Sequence, residues 1–120
     1  MSDYSYKEIK KRVFEWSKKD IFRCLSKQDE IKISKNNEEV LIIDLTFSNC
    51  LAQITVSDPV FAPYQFVSFE AISLYNKVEN SEVPDMTYFF YDTDKMQINE
   101  VMTELETGIR YCSNYLPNSH

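Results

Sequence analysis

The hydrophobic residues of this chain recur with two different periods, and the switch between them fixes the class of fold. Near the N-terminus, Tyr6, Ile9, Val13 and Trp16 follow one another at helical spacing, with Phe14 beside the stripe. Ser5 precedes them and Glu8 stands three residues on, which is the form of a capping box. A helix is predicted over about residues 5–18. From residue 30 the period becomes two. Ile31 and Ile33 alternate with polar residues, Lys35-Asn36-Asn37 reads as a turn, and Leu41, Ile43, Leu45 and Phe47 mark one face of a strand. After a second turn at Ser48-Asn49, Ala52, Ile54 and Val56 mark another. This is the pattern of an antiparallel meander.

Residues 57–63 interrupt the sheet, because Pro59 and Pro63 cannot donate to a ladder. Tyr64 to Leu74 then reads as a long strand, Asn76 to Asp85 as an acidic loop and Thr87 to Tyr91 as an aromatic strand. The helical period returns with Ile98, Val101, Met102, Leu105, Ile109, Cys112 and Leu116, and Pro117 stops it. Residues 20–27 fit either an extension of the first helix or the start of a strand. The expected fold is a single α+β domain spanning residues 1–120. A mostly antiparallel sheet of four or five strands is flanked by an N-terminal and a C-terminal helix, both on one sheet face.

Composition excludes several functions. The chain has one glycine, Gly108, among 120 residues. P-loops and dinucleotide-binding turns need several, so that backbone N–H groups can approach phosphates. The one histidine is His120, at the end of the chain, which removes the commonest general base and metal ligand. Cys24, Cys50 and Cys112 are odd in number and widely spaced. They suggest reduced core thiols, with neither a disulfide framework nor a zinc site. The aliphatic run Val40-Leu41-Ile42-Ile43 is far short of a bilayer span. These features predict a cytoplasmic protein with no cofactor, no metal and no membrane contact.

Charge is unevenly spread. The net charge is −6, yet residues 1–35 carry +4 and residues 36–120 carry −10. Two readings follow: the basic and acidic parts pair internally, or the acidic part faces a positively charged partner. Nucleic acid is not expected to be that partner, because its phosphates would be repelled.

Three groups of residues invite a functional role. Asp92-Thr93-Asp94 follows an apolar strand, and it resembles the magnesium-binding motif of haloacid-dehalogenase-type phosphatases and the Asp-x-Asp of some glycosyltransferases. Only 26 residues follow Asp94, however, too few for the remaining parts of such a phosphatase. An EF-hand starting at Asp92 would need Gly at Gln97 and Glu at Thr103. The acids instead suit a turn entering the last helix. Glu70 sits mid-strand among aromatics, either facing outward or half-buried as an acid or base. Tyr64, Tyr75, Tyr88 and Tyr91 offer rigid area with polar tips, as interfaces do. If helices cover one sheet face only, the other displays aromatics, unless residues 57–63 cover it with Val60 and Phe61.

In size, acidity, glycine poverty and the Tyr-plus-acid segment Tyr88 to Asp94, the chain resembles small acidic bacterial immunity proteins. That resemblance implies a non-catalytic domain that binds a basic toxin or nuclease. The expected partner-binding residues are Glu70, Asp85, Tyr88, Tyr91, Asp92 and Asp94. Two alternatives stand beside it. One is a structural or adaptor subunit that forms a homodimer through a strand edge. The other is a small ligand-binding or enzymatic domain that uses Glu70 and tyrosines.

Overall fold

The computed structural model describes residues 3–74 and 86–116, with backbone alone for 86 and 87. Helix α1 spans Tyr6–Lys18. A short 3-10 helix follows at Asp20–Cys24. Strands β1 (Glu30–Asn36), β2 (Val40–Thr46), β3 (Cys50–Ser57), β4 (Val67–Ser73) and β5 (Met86–Tyr91) precede helix α2 (Ile98–Ser113). The strands form one antiparallel sheet in sequential order, so every connection joins neighbours. This is the expected α+β fold, with five strands.

The local causes are visible. The Ser5 hydroxyl accepts from Glu8 N at 3.2 Å while the Glu8 carboxylate accepts from Ser5 N at 3.1 Å, so both partners of the capping box are made. The β1–β2 turn is held by the Asn37 side-chain oxygen, which accepts from the N–H groups of Glu39 and Val40. At the β2–β3 turn, Phe47 N donates to the Cys50 carbonyl across Ser48-Asn49. The ambiguous segment is the 3-10 helix, which lays Ile21 and Cys24 into the core.

Period two sorts the sheet into two faces. Leu41, Ile43 and Leu45 of β2, Ala52, Ile54 and Val56 of β3, and Val67, Phe69 and Ala71 of β4 are all buried. Against them lie Ile9, Val13 and Trp16 of α1 and Val101, Leu105, Ile109 and Cys112 of α2. The helices are joined across their seam. Trp16 Nε1 donates to Glu106 at 3.1 Å, Arg23 pairs with the same carboxylate at 2.6 Å, and Arg12 donates to Asn99 at 3.3 Å.

Two boundaries and one packing arrangement differ from expectation. The fourth strand begins at Val67 instead of Tyr64: Phe66 N bonds to the Asp92 carboxylate in place of a ladder carbonyl, and Gln65 N is shared between that carboxylate and the Asp92 carbonyl. Helix α2 ends at Ser113, where Asn114 N and its side-chain amide both donate to the Arg110 carbonyl. Leu116 therefore leaves the apolar stripe and is exposed. Residues 57–63 do not cover the second sheet face, since Val60 is 87% and Phe61 95% exposed. The expected acidic loop over residues 76–85, Tyr75, Pro117 and His120 lie outside the described residues.

Gly108 has a packing reason. A Cβ there would stand 3.0 Å from the Phe69 ring and 3.0 Å from the Tyr88 ring. Phe69 is fully buried, and Tyr88 meets it edge-on at 5.8 Å, so neither ring withdraws freely. Ala is worth about 1 kcal/mol more than Gly in a helix interior, whereas overpacking costs about 1–3 kcal/mol. Gly108→Ala should therefore lower stability by about 1 kcal/mol net, read as a lower urea midpoint. A raised midpoint would show that the rings yield.

Candidate functional site

The segment Tyr88 to Asp94 is divided by the sheet rather than gathered into one patch. Residues 88 and 90 point toward the helices; 89 and 91 point to the opposite face. Tyr88 packs between Phe69 and Tyr111, its ring 5.0 Å from that of Tyr111. Burial raises the Tyr88 hydroxyl above its ordinary pKa.

Asp92 continues the inward set and is 1% exposed. One of its oxygens accepts three backbone N–H groups, from Gln65 at 2.9 Å, Phe66 at 2.8 Å and Val67 at 2.8 Å. The other accepts the Tyr4 hydroxyl at 2.8 Å. Both oxygens are committed inside the protein, and such a buried side chain offers nothing to a docking partner. Asp94 is exposed in the turn before α2. The acids that meet the α2 N-terminus are Asp3, whose carboxylate accepts Ile98 N at 2.8 Å, and Glu100, whose carboxylate accepts Gln97 N at 3.2 Å. Asp85 lies outside the described residues.

Glu70 and Tyr91 do come together. Glu70 is exposed on the sheet face away from the helices, and the Tyr91 hydroxyl donates to its carboxylate. That bond, more than burial, raises the Tyr91 hydroxyl pKa. Phe89 stacks 5.0 Å from Tyr91 and is 57% exposed. Tyr64 flanks Tyr91 at 6.1 Å, held by its contact with the Ser57 hydroxyl at 3.1 Å. Across the strands the register runs Lys32, Asp44, Gln53, Glu70, Phe89. Asp44 accepts from Ser34 and Gln53, which together hold its carboxyl below the usual range. A depression of about 360 Å³ lies beside Glu70, lined by Leu51, Gln53 and Ile72. The exposed face is thus an aromatic ridge on β5 beside a polar row.

Sequence reasoning missed Phe89. Its signal was parity, since a residue two positions from Tyr91 shares its face. The described residues hold no group of three His, Cys, Asp or Glu side chains able to bind a metal ion. None of the described helices is long and apolar enough to cross a membrane. Comparison with protein-family models, curated proteins and solved structures gives no match.

Two predictions follow from the buried groups. Asp92→Ala strands the Phe66 and Val67 N–H groups and a tyrosine hydroxyl, while Gln65 N keeps the carbonyl of residue 92, and should cost about 3–5 kcal/mol. Tyr4→Phe removes one bond to a charged acceptor and should cost about 1–2 kcal/mol. Urea unfolding of the two variants checks the ranking. The second prediction concerns alkaline pH. Burial pushes the Cys112 thiol from 9.0 up to about 12. Burial and the Asp92 bond also raise the Tyr4 hydroxyl above 10.0. Stabilisation from groups raised in the folded state is complete below their unfolded values and is lost as pH climbs. Stability should hold up to pH 9, then fall through about 12, with the Tyr4→Phe variant falling less steeply above 10. A flat profile across that window would contradict the assignment.

Proposed function

We propose that this domain binds a protein partner through the sheet face opposite its helices, in the manner of small acidic immunity proteins that neutralise a basic toxin. The observation that carries the reading is the Phe89–Tyr91–Glu70 group. An exposed ring is stacked on a second ring, whose hydroxyl is held by a neighbouring carboxylate. That arrangement suits a Lys or Arg side chain from the partner. The cation lies over an aromatic face while the carboxylate accepts its N–H groups. The rings are already fixed by Tyr64 and Glu70, so little rotamer freedom is lost on binding.

The net charge of −6 would speed encounter with a basic partner and make it salt-dependent. The three cysteines are free and buried, which fits action inside the cell.

The test is affinity capture at low and high salt with three variants beside the parent. Phe89→Ser and Glu70→Lys alter the proposed face; Lys10→Glu alters α1 on the other side of the molecule. The parent and Lys10→Glu should capture the same basic protein, less of it at high salt. Phe89→Ser and Glu70→Lys should each weaken capture at least about 30-fold, as loss of a central contact does. Equal capture by all four proteins would move the site off this face.

A further inference from the structure

The two edges of the sheet are built differently. β1 carries Glu30, Lys32 and Lys35, and its register breaks between Ile33 and Lys35. Charges and bulges of this kind keep an edge from pairing with another chain. β5, at the other edge, reads Met-Thr-Tyr-Phe-Phe-Tyr and carries no charge; its own register break falls between Ala71 and Ile72, at Thr87, and leaves Tyr88 to Tyr91 in regular pairing.

Backbone bonding shows which groups that edge presents. Ser57 N donates to the Phe66 carbonyl, and Asp92 N donates to the Val67 carbonyl. Alternation along antiparallel ladders then turns Val67, Phe69 and Ala71 toward β5, and Tyr88 and Phe90 back toward β4. The N–H and C=O groups of Phe89 and Tyr91 therefore point outward. Among the described residues no backbone group meets them. Aromatic rings flank this edge on both faces of the sheet. Phe89 is 57% exposed on one face, and Tyr111, stacked on Tyr88, is 41% exposed on the other.

We infer that the β5 edge is a self-association edge, at which two copies of the chain pair antiparallel and join their sheets into one continuous sheet. A second copy fits for a geometric reason. A two-fold axis at Phe90 sets Phe89 of each copy opposite Tyr91 of the other. Both outward-facing residues then lie in hydrogen-bonded pairs, and each pair exchanges both its bonds. Ring meets ring on the open face, and no charged side chain of β5 meets its like. Among the described residues the nearest carboxylates on that face are the two Glu70 side chains, three strand spacings across and two residues along, about 16 Å apart. That distance exceeds the screening length of about 8 Å at physiological salt.

This association is independent of the partner reading and is tested on the purified chain alone. Light scattering over a micromolar concentration series should give twice the 14.2 kDa chain mass at the upper end. Phe89→Pro removes an N–H that faces away from β4, so the internal ladder survives while the dimer is lost. Phe89→Lys, which keeps the N–H but puts charge at the seam, should also be monomeric and decides the matter if the proline variant does not fold. Glu70→Lys, which should abolish partner capture, should remain dimeric. In hydrogen exchange, the Phe89 and Tyr91 amides should gain protection as concentration rises. A parent protein that stays monomeric, or variants that stay dimeric, would overturn the inference. So would concentration-independent protection of those amides, which would place their pairing within one chain.

Discussion

The Asp92 carboxylate closes the fold. Three consecutive N–H groups, of Gln65, Phe66 and Val67, converge on one oxygen, and the Tyr4 hydroxyl binds the other. The segment leading into β4, the end of β5 and the residues before α1 are thereby tied at one point. A second tie runs in parallel, since Asp3 caps the first N–H of α2. The N-terminal ends of both helices are thus held by acids distant in sequence from the elements they hold. Bonds to an ionised acceptor in a dry site are about twice as strong as neutral ones. Phe66 adds packing to the same junction, with its ring 6.0 Å from Tyr4 and 6.1 Å from Tyr6.

That junction explains where the sequence was readable and where it was not. Periods of 3.6 and 2 located both α-helices and the first three strands, because burying one face is a demand each residue meets locally. The end of α2 was missed for a local bond, Asn114 to the Arg110 carbonyl, and the start of β4 for a distant one. Nothing near Tyr64 announces that its neighbours donate to an acid 27 positions away. Asp92 was harder still. A carboxylate next to a second one at a strand end has the residue types of a metal or docking site. Its parity with Tyr88 and Phe90 placed it inward, but four successive aromatics conceal parity because both faces of the strand are apolar. The same ambiguity hid Phe89, which lies on the face that Glu70 and Tyr91 share.

The uneven charge was legible as composition, and the structure decides part of what it does. One ion pair joins the basic and acidic parts among the described residues, Arg23 with Glu106. The Glu106 carboxylate also accepts Trp16 Nε1, and these partners hold its carboxyl below the usual range against the opposing effect of burial. Lys7, Lys10 and Lys11 instead line a groove of about 570 Å³ with Tyr6, Phe14, Asn36 and one acid, Glu38, between α1 and the β1–β2 turn. Internal pairing therefore accounts for little of the separation. Helix α1 carries five basic and two acidic residues while α2 beside it carries three acidic and one basic, so the charge varies with direction as well as being negative overall.

Directionality bears on how the proposed surfaces would work together. A basic partner approaching at random would be turned away from α1 and toward the acidic remainder before any contact forms. Steering of this kind sets the rate of encounter, whereas the lifetime of a complex depends on desolvated contacts such as those of Phe89 and Tyr91. The two roles fall on different residues, so salt and ring truncation would act on different rate constants. Pairing at the β5 edge would add a third consequence. It sets two Phe89–Tyr91–Glu70 groups side by side about one axis on a continuous sheet. A partner with a broad or itself two-fold surface would then meet both at once, and the second contact would form at the high effective concentration that a rigid spacing provides.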